Sequence, residues 1–160
     1  MFDVLDYIGN TFPNIIFDLV RSLSVQDGVP FEHEFFSRIA WSFPLLKELI
    51  VFNHTSQLPI SNKLNSNDNQ LYSTIIEYPC LTSLCLEFAH VDYVDQFLND
   101  TKTHLPHLTK LTVSYNKLRS ITKDFTNDRT RRNCKNVKRL NTDNEMRLHS
   151  KDIYAYFPLL

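Results

Sequence analysis

The chain has 160 residues, 42% of them hydrophobic and 22% charged, with a formal net charge of −1. That composition fits one soluble globular domain and excludes wholesale disorder. Only two residues are glycine, Gly9 and Gly28, against about eleven in an average chain of this length, so a Walker-type phosphate loop and a dinucleotide fingerprint, which need several closely spaced glycines, are both excluded.

The N-terminus reads Met1-Phe2-Asp3-Val4-Leu5-Asp6, with acids where a secretion signal carries bases. No run of about 20 apolar residues follows anywhere. The three cysteines, Cys80, Cys85 and Cys134, are too few and odd in number for a disulfide scaffold, and point to reduced thiols in a cytoplasmic or nuclear protein. The Asn53-His54-Thr55 and Asn99-Asp100-Thr101 glycosylation sequons are then chance matches.

A short phrase recurs along the chain: an aromatic or apolar residue, Pro, then Leu-x-x-Leu-x-Val/Leu. Phe12-Pro13-Asn14-Ile15 opens a first copy, closed after an insertion by Val20-Arg21-Ser22-Leu23-Ser24-Val25. Phe43-Pro44-Leu45-Leu46-Lys47-Glu48-Leu49-Ile50-Val51 is the second. A polar stretch over 53–69 follows and reads as a flexible surface loop. Tyr78-Pro79-Cys80-Leu81-Thr82-Ser83-Leu84-Cys85-Leu86 and Leu105-Pro106-His107-Leu108-Thr109-Lys110-Leu111-Thr112-Val113 are the third and fourth. Cys134-Lys135-Asn136-Val137-Lys138-Arg139-Leu140-Asn141-Thr142 is a weaker fifth, and Phe157-Pro158-Leu159-Leu160 opens a sixth. The starts at 12, 43, 78, 105, 134 and 157 are unevenly spaced.

Leu-x-Val alternation predicts a short strand with one buried face. Apolar residues three and four apart predict helices over Phe35–Trp41, through Leu71, Ile75 and Tyr78, through Val91, Val94 and Leu98, and up to Tyr154 and Phe157. Each unit is thus a helix, a turn marked by proline and a strand. Such a unit cannot bury its own apolar face, and stacked copies form a parallel sheet backed by helices. Leu46, Leu49, Val51, Leu81, Leu84, Leu86, Leu108, Leu111 and Val113 are the expected core.

This pattern resembles a leucine-rich repeat. The copy at Leu108, Leu111, Val113, Asn116 and Leu118 matches the family phrase throughout, whereas the family Asn falls on His54, Ala89 and Glu145 in other copies. The resemblance covers about Phe12 to the end. It implies an α/β solenoid of about five repeats in a single irregular domain over 1–160, with parallel strands on a concave face and helices on a convex one. The missing asparagines imply that the ladder they build inside the turns is absent. Long helix-containing repeats of this kind look like those behind an F-box in ubiquitin-ligase adaptors. Only eleven residues precede Phe12, so no F-box is expected here, and both ends read as those of a fragment.

The charge is unevenly spread. From Lys117 to Arg139 nine bases meet only Asp124 and Asp128, a local +7, leaving −8 for the rest. The stretch 129–139 reads as a solvated helix and turn, or else as a nuclear-import signal or nucleic-acid footprint. No catalytic constellation emerges. His33-Glu34 starts a zinc-protease phrase that Ser37 breaks; Asn65, Asn67 and Asn69 mimic a calcium loop whose Gly position holds Gln70; Cys80, Cys85 and His90 are loosely spaced. No nucleophile elbow exists. The expectation is no enzyme, no cofactor and no metal.

Strand positions between the inward leucines supply the candidate site. One row runs Ser24, Ile50, Cys85, Thr112, Asn141, a second Ser22, Glu48, Ser83, Lys110, Arg139, and a third Gln26, Phe52, Glu87, Ser114, Asp143. With strands about 4.8 Å apart the rows merge into one surface, with Ile50 and Phe52 as exposed apolar anchors and charge at the far end. The reading is a non-catalytic protein-protein interaction module. What the resemblance implies beyond that is the substrate-recognition part of an F-box-type adaptor, with cullin-type ubiquitin-ligase components as further partners. The alternatives are a nuclear or nucleic-acid-associated factor using 129–139 and a small α/β enzyme.

Overall fold

The computed structural model describes residues 3–58, 74–143 and 151–160. The elements are β1 (Val4–Ile8), β2 (Ser22–Gln26), α1 (His33–Ser42), β3 (Glu48–Phe52), β4 (Ile76–Glu77), β5 (Ser83–Cys85), α2 (Val91–Leu98), β6 (Thr103–His104), β7 (Lys110–Thr112), α3 (Tyr115–Ile121), α4 (Asp128–Cys134), β8 (Arg139–Asn141) and α5 (Lys151–Tyr156). Six strands lie in one sheet in the order β1-β2-β3-β5-β7-β8, and every neighbouring pair is parallel. A second pair, β4 with β6, is also parallel. The protein is α/β, with a parallel sheet as its main feature.

Three copies of the recurring phrase build the same turn before their strand. After the first residue comes a turn closed by a backbone bond three residues on: Leu46 N–H to Phe43 O (3.1 Å), Leu81 N–H to Tyr78 O (3.4 Å) and Val137 N–H to Cys134 O (3.1 Å). Pro44 ends α1 because the residue before a proline is pushed out of the helical region, and Phe43 sits at φ −124°. Each strand is then entered identically. The carbonyl of Asp3 accepts the N–H groups of Arg21 and Ser22, that of Arg21 accepts Lys47 and Glu48, and that of Lys47 accepts Thr82 and Ser83. Thr82 and Thr109 continue the series, the first taking Thr109 and Lys110, the second Lys138 and Arg139. One carbonyl therefore pins two donors of the next strand at all five junctions of the sheet.

All nine leucines and valines expected inside are buried, and they join the helix residues in one cluster. Phe35, Phe36 and Ile39 are the inward stripe of α1. Phe36 meets Phe97 of α2 edge-on, with ring centroids 4.9 Å apart, and Phe31 stacks on Phe35 at 4.1 Å. Such pairs add about 0.5–1.5 kcal/mol beyond the area they bury. The helices expected over Phe35–Trp41, Val91–Leu98 and up to Phe157 are α1, α2 and α5.

Two expectations need correction. The apolar spacing through Leu71, Ile75 and Tyr78 is not a helix where it is described: Ile76–Glu77 is strand β4, paired with Thr103–His104, and Leu71 lies outside the described residues. Burial there alternates, with Ile76 and Tyr78 inside and Glu77 outside, so a period of two wins over the three-four spacing, and Pro79 favours extended backbone before it. An additional strand, β1, precedes the copy at Phe12, pairing Val4 with Ser22 and Leu5 with Leu23; the sheet has six strands where five repeats were expected. The insertion between Ile15 and Val20 covers the end of α1, with Phe17 stacked on Phe43 at 4.9 Å and its N–H bonded to Ser42 O.

Asparagines at other positions tie the turns. Asn116, the family position in the complete copy, is exposed on α3. Glu145 lies outside the described residues. The bridging role falls to Asn53, one residue before the family position. Asn53 is 2% exposed, its Nδ2 donates to Val29 O (2.8 Å) and its Oδ1 accepts the Thr55 N–H. Its main chain links β3 to the segment after β5, receiving His90 N–H and donating to Phe88 O. On the helix side Asn133 acts as a bolt: Nδ2 donates to the carbonyls of Phe97, Leu98 and Thr103, and Oδ1 accepts the Leu105 N–H. Helix ends and turns that would orphan backbone groups are thereby satisfied by buried amides.

Candidate binding face

The outward rows of the sheet form in the expected register. Ser24 pairs with Ile50, Ile50 with Cys85, Cys85 with Thr112 and Thr112 with Asn141. Ser22, Glu48, Ser83, Lys110 and Arg139 align in the same way, with Val4 added by β1. The third row is regular only at Gln26 and Phe52; Glu87, Ser114 and Asp143 lie past the strand ends, where a hydrogen bond joins Ser114 to Asp143. Ile50 and Phe52 are half-buried rather than exposed, and Ser24 is buried. Neighbouring rows shield them, since parallel strands hold side chains close together.

Glu48 is held between two strands, its carboxylate accepting Ser22 Oγ–H at 3.0 Å and Ser83 Oγ–H at 3.5 Å. Asp143 reaches back to the start of α3, where its Oδ1 accepts the Tyr115 N–H (2.8 Å) and its Oδ2 the Ser114 hydroxyl (3.0 Å). The Tyr115 backbone bond is the main reason its carboxyl titrates below the usual range. Burial pushes the Cys85 thiol up, so it stays protonated on this face. A cavity of about 120 Å³ opens between Glu87, Thr112, Val113, Asn141, Thr142 and Asp143.

Two aromatic residues that the sequence patterns did not single out complete the face. Phe52 stacks on Phe88 at 5.2 Å and 12°, and Tyr7 lies 6.1 Å from Phe52 on its other side. Tyr7 and Phe88 remain 65% and 42% exposed. Tyr7 sits at φ 59° where β1 slips by one residue against β2, Leu5 pairing with Leu23 and Ile8 with Val25. A bulge of this kind re-aims a side chain, and a bulky residue at positive φ is strained. A one-residue bulge leaves no mark in the hydrophobic pattern, which is why Tyr7 was not legible. Phe88 follows a row position, Glu87, and its contact with Phe52 depends on the Asn53–Ala89 bridge.

The basic stretch is the outer side of α4 and its turn. Thr130, Asn133 and Cys134 are buried at helical spacing, while Arg129, Arg131, Arg132, Lys135, Lys138 and Arg139 are exposed. Arg131 pairs with Asp128 at 3.8 Å and lies over the Tyr156 ring. Burial pushes the Cys134 thiol far up. Several histidines serve structural contacts: His90 accepts the Asp92 N–H at the start of α2, His107 meets Pro79 O, and His33 bridges Gln96 and Thr74 O. Among the described residues no group of three His, Cys, Asp or Glu side chains converges as metal ligands do; Asn65, Asn67 and Asn69 lie outside them. The described start of the 53–69 loop is anchored, with Gln57 N–H bonded to Asp92 and Tyr93 O–H to Thr55 O. Among the described residues no helix is long and apolar enough to cross a membrane. No protein-family model matches the chain, and neither a curated protein nor a solved structure does.

Proposed function

We propose that this chain is a non-catalytic protein-recognition module, a leucine-rich-repeat-like solenoid that grips a partner polypeptide on the concave face of its sheet and carries its helices on the convex side. The observation that supports this reading most is the register: two rows of polar and apolar side chains run unbroken across β2, β3, β5, β7 and β8, about 4.8 Å apart. A continuous and chemically varied surface on a hydrogen-bonded sheet suits extended contact with another chain. The exposed aromatics Tyr7 and Phe88, flanking Phe52, supply anchors of the type enriched at binding hot spots. The narrower proposal is substrate recognition for an F-box-type adaptor of a cullin ubiquitin ligase, and it rests on the helix-containing form of the repeats.

The test is affinity capture with the tagged chain and three variants. Phe52→Ala and Arg139→Glu are expected to reduce capture of the same partner at least tenfold while the thermal midpoint holds. Trp41→Ala, a change at an exposed residue of α1 on the opposite side, is expected to leave capture intact. Partners retained equally by all three variants would end the open-face reading. Co-purification of cullin-type components supports the narrower proposal, and their absence while face-dependent partners remain removes it.

A second reading draws on the six exposed cations between Arg129 and Arg139, namely a nuclear or nucleic-acid-associated factor. It requires steeply salt-dependent retention on a phosphate resin, lost in an Arg131→Glu/Arg132→Glu double variant.

A further inference from the structure

The open face is chemically polarised at its β7–β8 end. Lys110 and Arg139 stand in the row at the strand starts, while Glu87 and Asp143 stand beyond the strand ends. The cavity between Glu87 and Asp143 is about 120 Å³, below the roughly 300–1,000 Å³ of small-molecule sites, and so suits one side chain of a longer ligand. Thr112 and Asn141 add a hydroxyl and an amide to its lining. Among the described residues neither Glu87 nor Asp143 has a cationic side chain within ion-pair distance. The nearby Lys117 is occupied by main-chain oxygens, its Nζ donating to Glu87 O (3.1 Å) and Ala89 O (2.7 Å). Next to this cavity, and continuous with it through the Glu87–Phe88 peptide, lies the aromatic shelf of Phe88, Phe52 and Tyr7.

Carboxylates without cationic partners beside exposed ring faces are the chemistry that recognises a basic side chain. The charge pairs with the carboxylates, a cation over a ring face gains about 0.5–1 kcal/mol or more, and the aliphatic stem of Arg or Lys covers apolar surface. We propose that the open face takes an extended polypeptide segment whose arginine or lysine enters the cavity between Glu87 and Asp143, with a neighbouring apolar residue on the Phe52–Phe88 shelf. This rests on the protein-recognition reading above and specifies the partner's chemistry. The basic strand starts at Lys110 and Arg139 repel the same cation, which fixes the end of the sheet at which it sits.

The test is selection of a random nonapeptide phage library on the intact protein, followed by titration of the synthetic winners. Enriched sequences are expected to carry Arg or Lys beside an aliphatic or aromatic residue. Glu87→Gln alone is expected to weaken them at least fivefold, and Glu87→Gln with Asp143→Asn more than twentyfold. Replacing the peptide's basic residue by norleucine is expected to abolish the difference between wild type and Glu87→Gln. Glu87 makes no hydrogen bond through its carboxylate among the described residues, so that variant leaves the fold unstrained and carries the test if Asp143→Asn disturbs α3. Winners that lack a basic residue, or that bind Glu87→Gln as wild type, yet are lost in Phe52→Ala, would overturn the cation proposal and leave the open-face reading standing. Winners indifferent to Phe52→Ala and Arg139→Glu, or no winners at all, would overturn both.

Discussion

The two sides of β3, β5 and β7 are one residue apart and physically unlike. Leu49, Leu84 and Leu111 are wholly buried, and their neighbours Ile50, Cys85 and Thr112 stand at the same register facing outward. The inward side makes contacts that any chain of this fold needs, whereas the outward side is released from packing, because alternate residues of a strand point to opposite faces. Core packing and solvent-facing chemistry therefore reside on separate residues of the same strands. The inward side also depends on polar bolts, Asn53 and Asn133, which the outward side does not use.

That separation can be broken most severely at Leu111. Leu111→Ala is expected to cost about 2–5 kcal/mol through lost burial and the cavity left behind, read from urea unfolding. Thr112→Ala, its neighbour, is expected to stay within about 0.5 kcal/mol of wild type; a large loss there would mean that the outward row is structural. Asn133→Ala comes next. It leaves the buried Leu105 N–H without its acceptor, which costs about 1–3 kcal/mol, and it is expected to lower the thermal midpoint without changing peptide binding at the open face. The smallest effect belongs to Asp143. Its carboxyl titrates below its unfolded value of about 3.9, so its stabilising contribution is complete at neutral pH and disappears as pH falls through the folded value. The gap in thermal midpoint between wild type and Asp143→Asn is expected at pH 7 and should narrow steadily as pH falls below the unfolded carboxyl value. A gap that persists in acid would show that the charge of Asp143 is not what holds the start of α3.

Much of the sheet was legible because the signal is local. The Pro-led turn, the Leu-x-x-Leu spacing and the inward leucines all fall within nine consecutive residues, and in the parallel register the same phrase position on each strand lands beside its counterpart. The rows of the candidate site followed from that alone. Tyr7 and Phe88 were not legible because their contacts with Phe52 come from a one-residue bulge and from a bridge between segments far apart in sequence. The segment through Ile75 was not legible because Ile75 and Ile76 are adjacent, and only the pairing with Thr103–His104 puts Ile76 and Tyr78, two residues apart, inside while Ile75 stays exposed.

The asparagines divide along the same line. Asn116 occupies the expected position in the phrase yet faces solvent, while Asn53 and Asn133, in no expected position, carry the buried bonds. The sequence by itself determined the repeat, the alternation and hence which side chains leave the core, since these follow from periodicity and proline chemistry within single units. The tertiary structure alone decided which amides satisfy buried backbone, which aromatics meet on the open face, and where two carboxylates close around a cavity. Those contacts join residues from different units, and their energies depend on distances that no local pattern encodes.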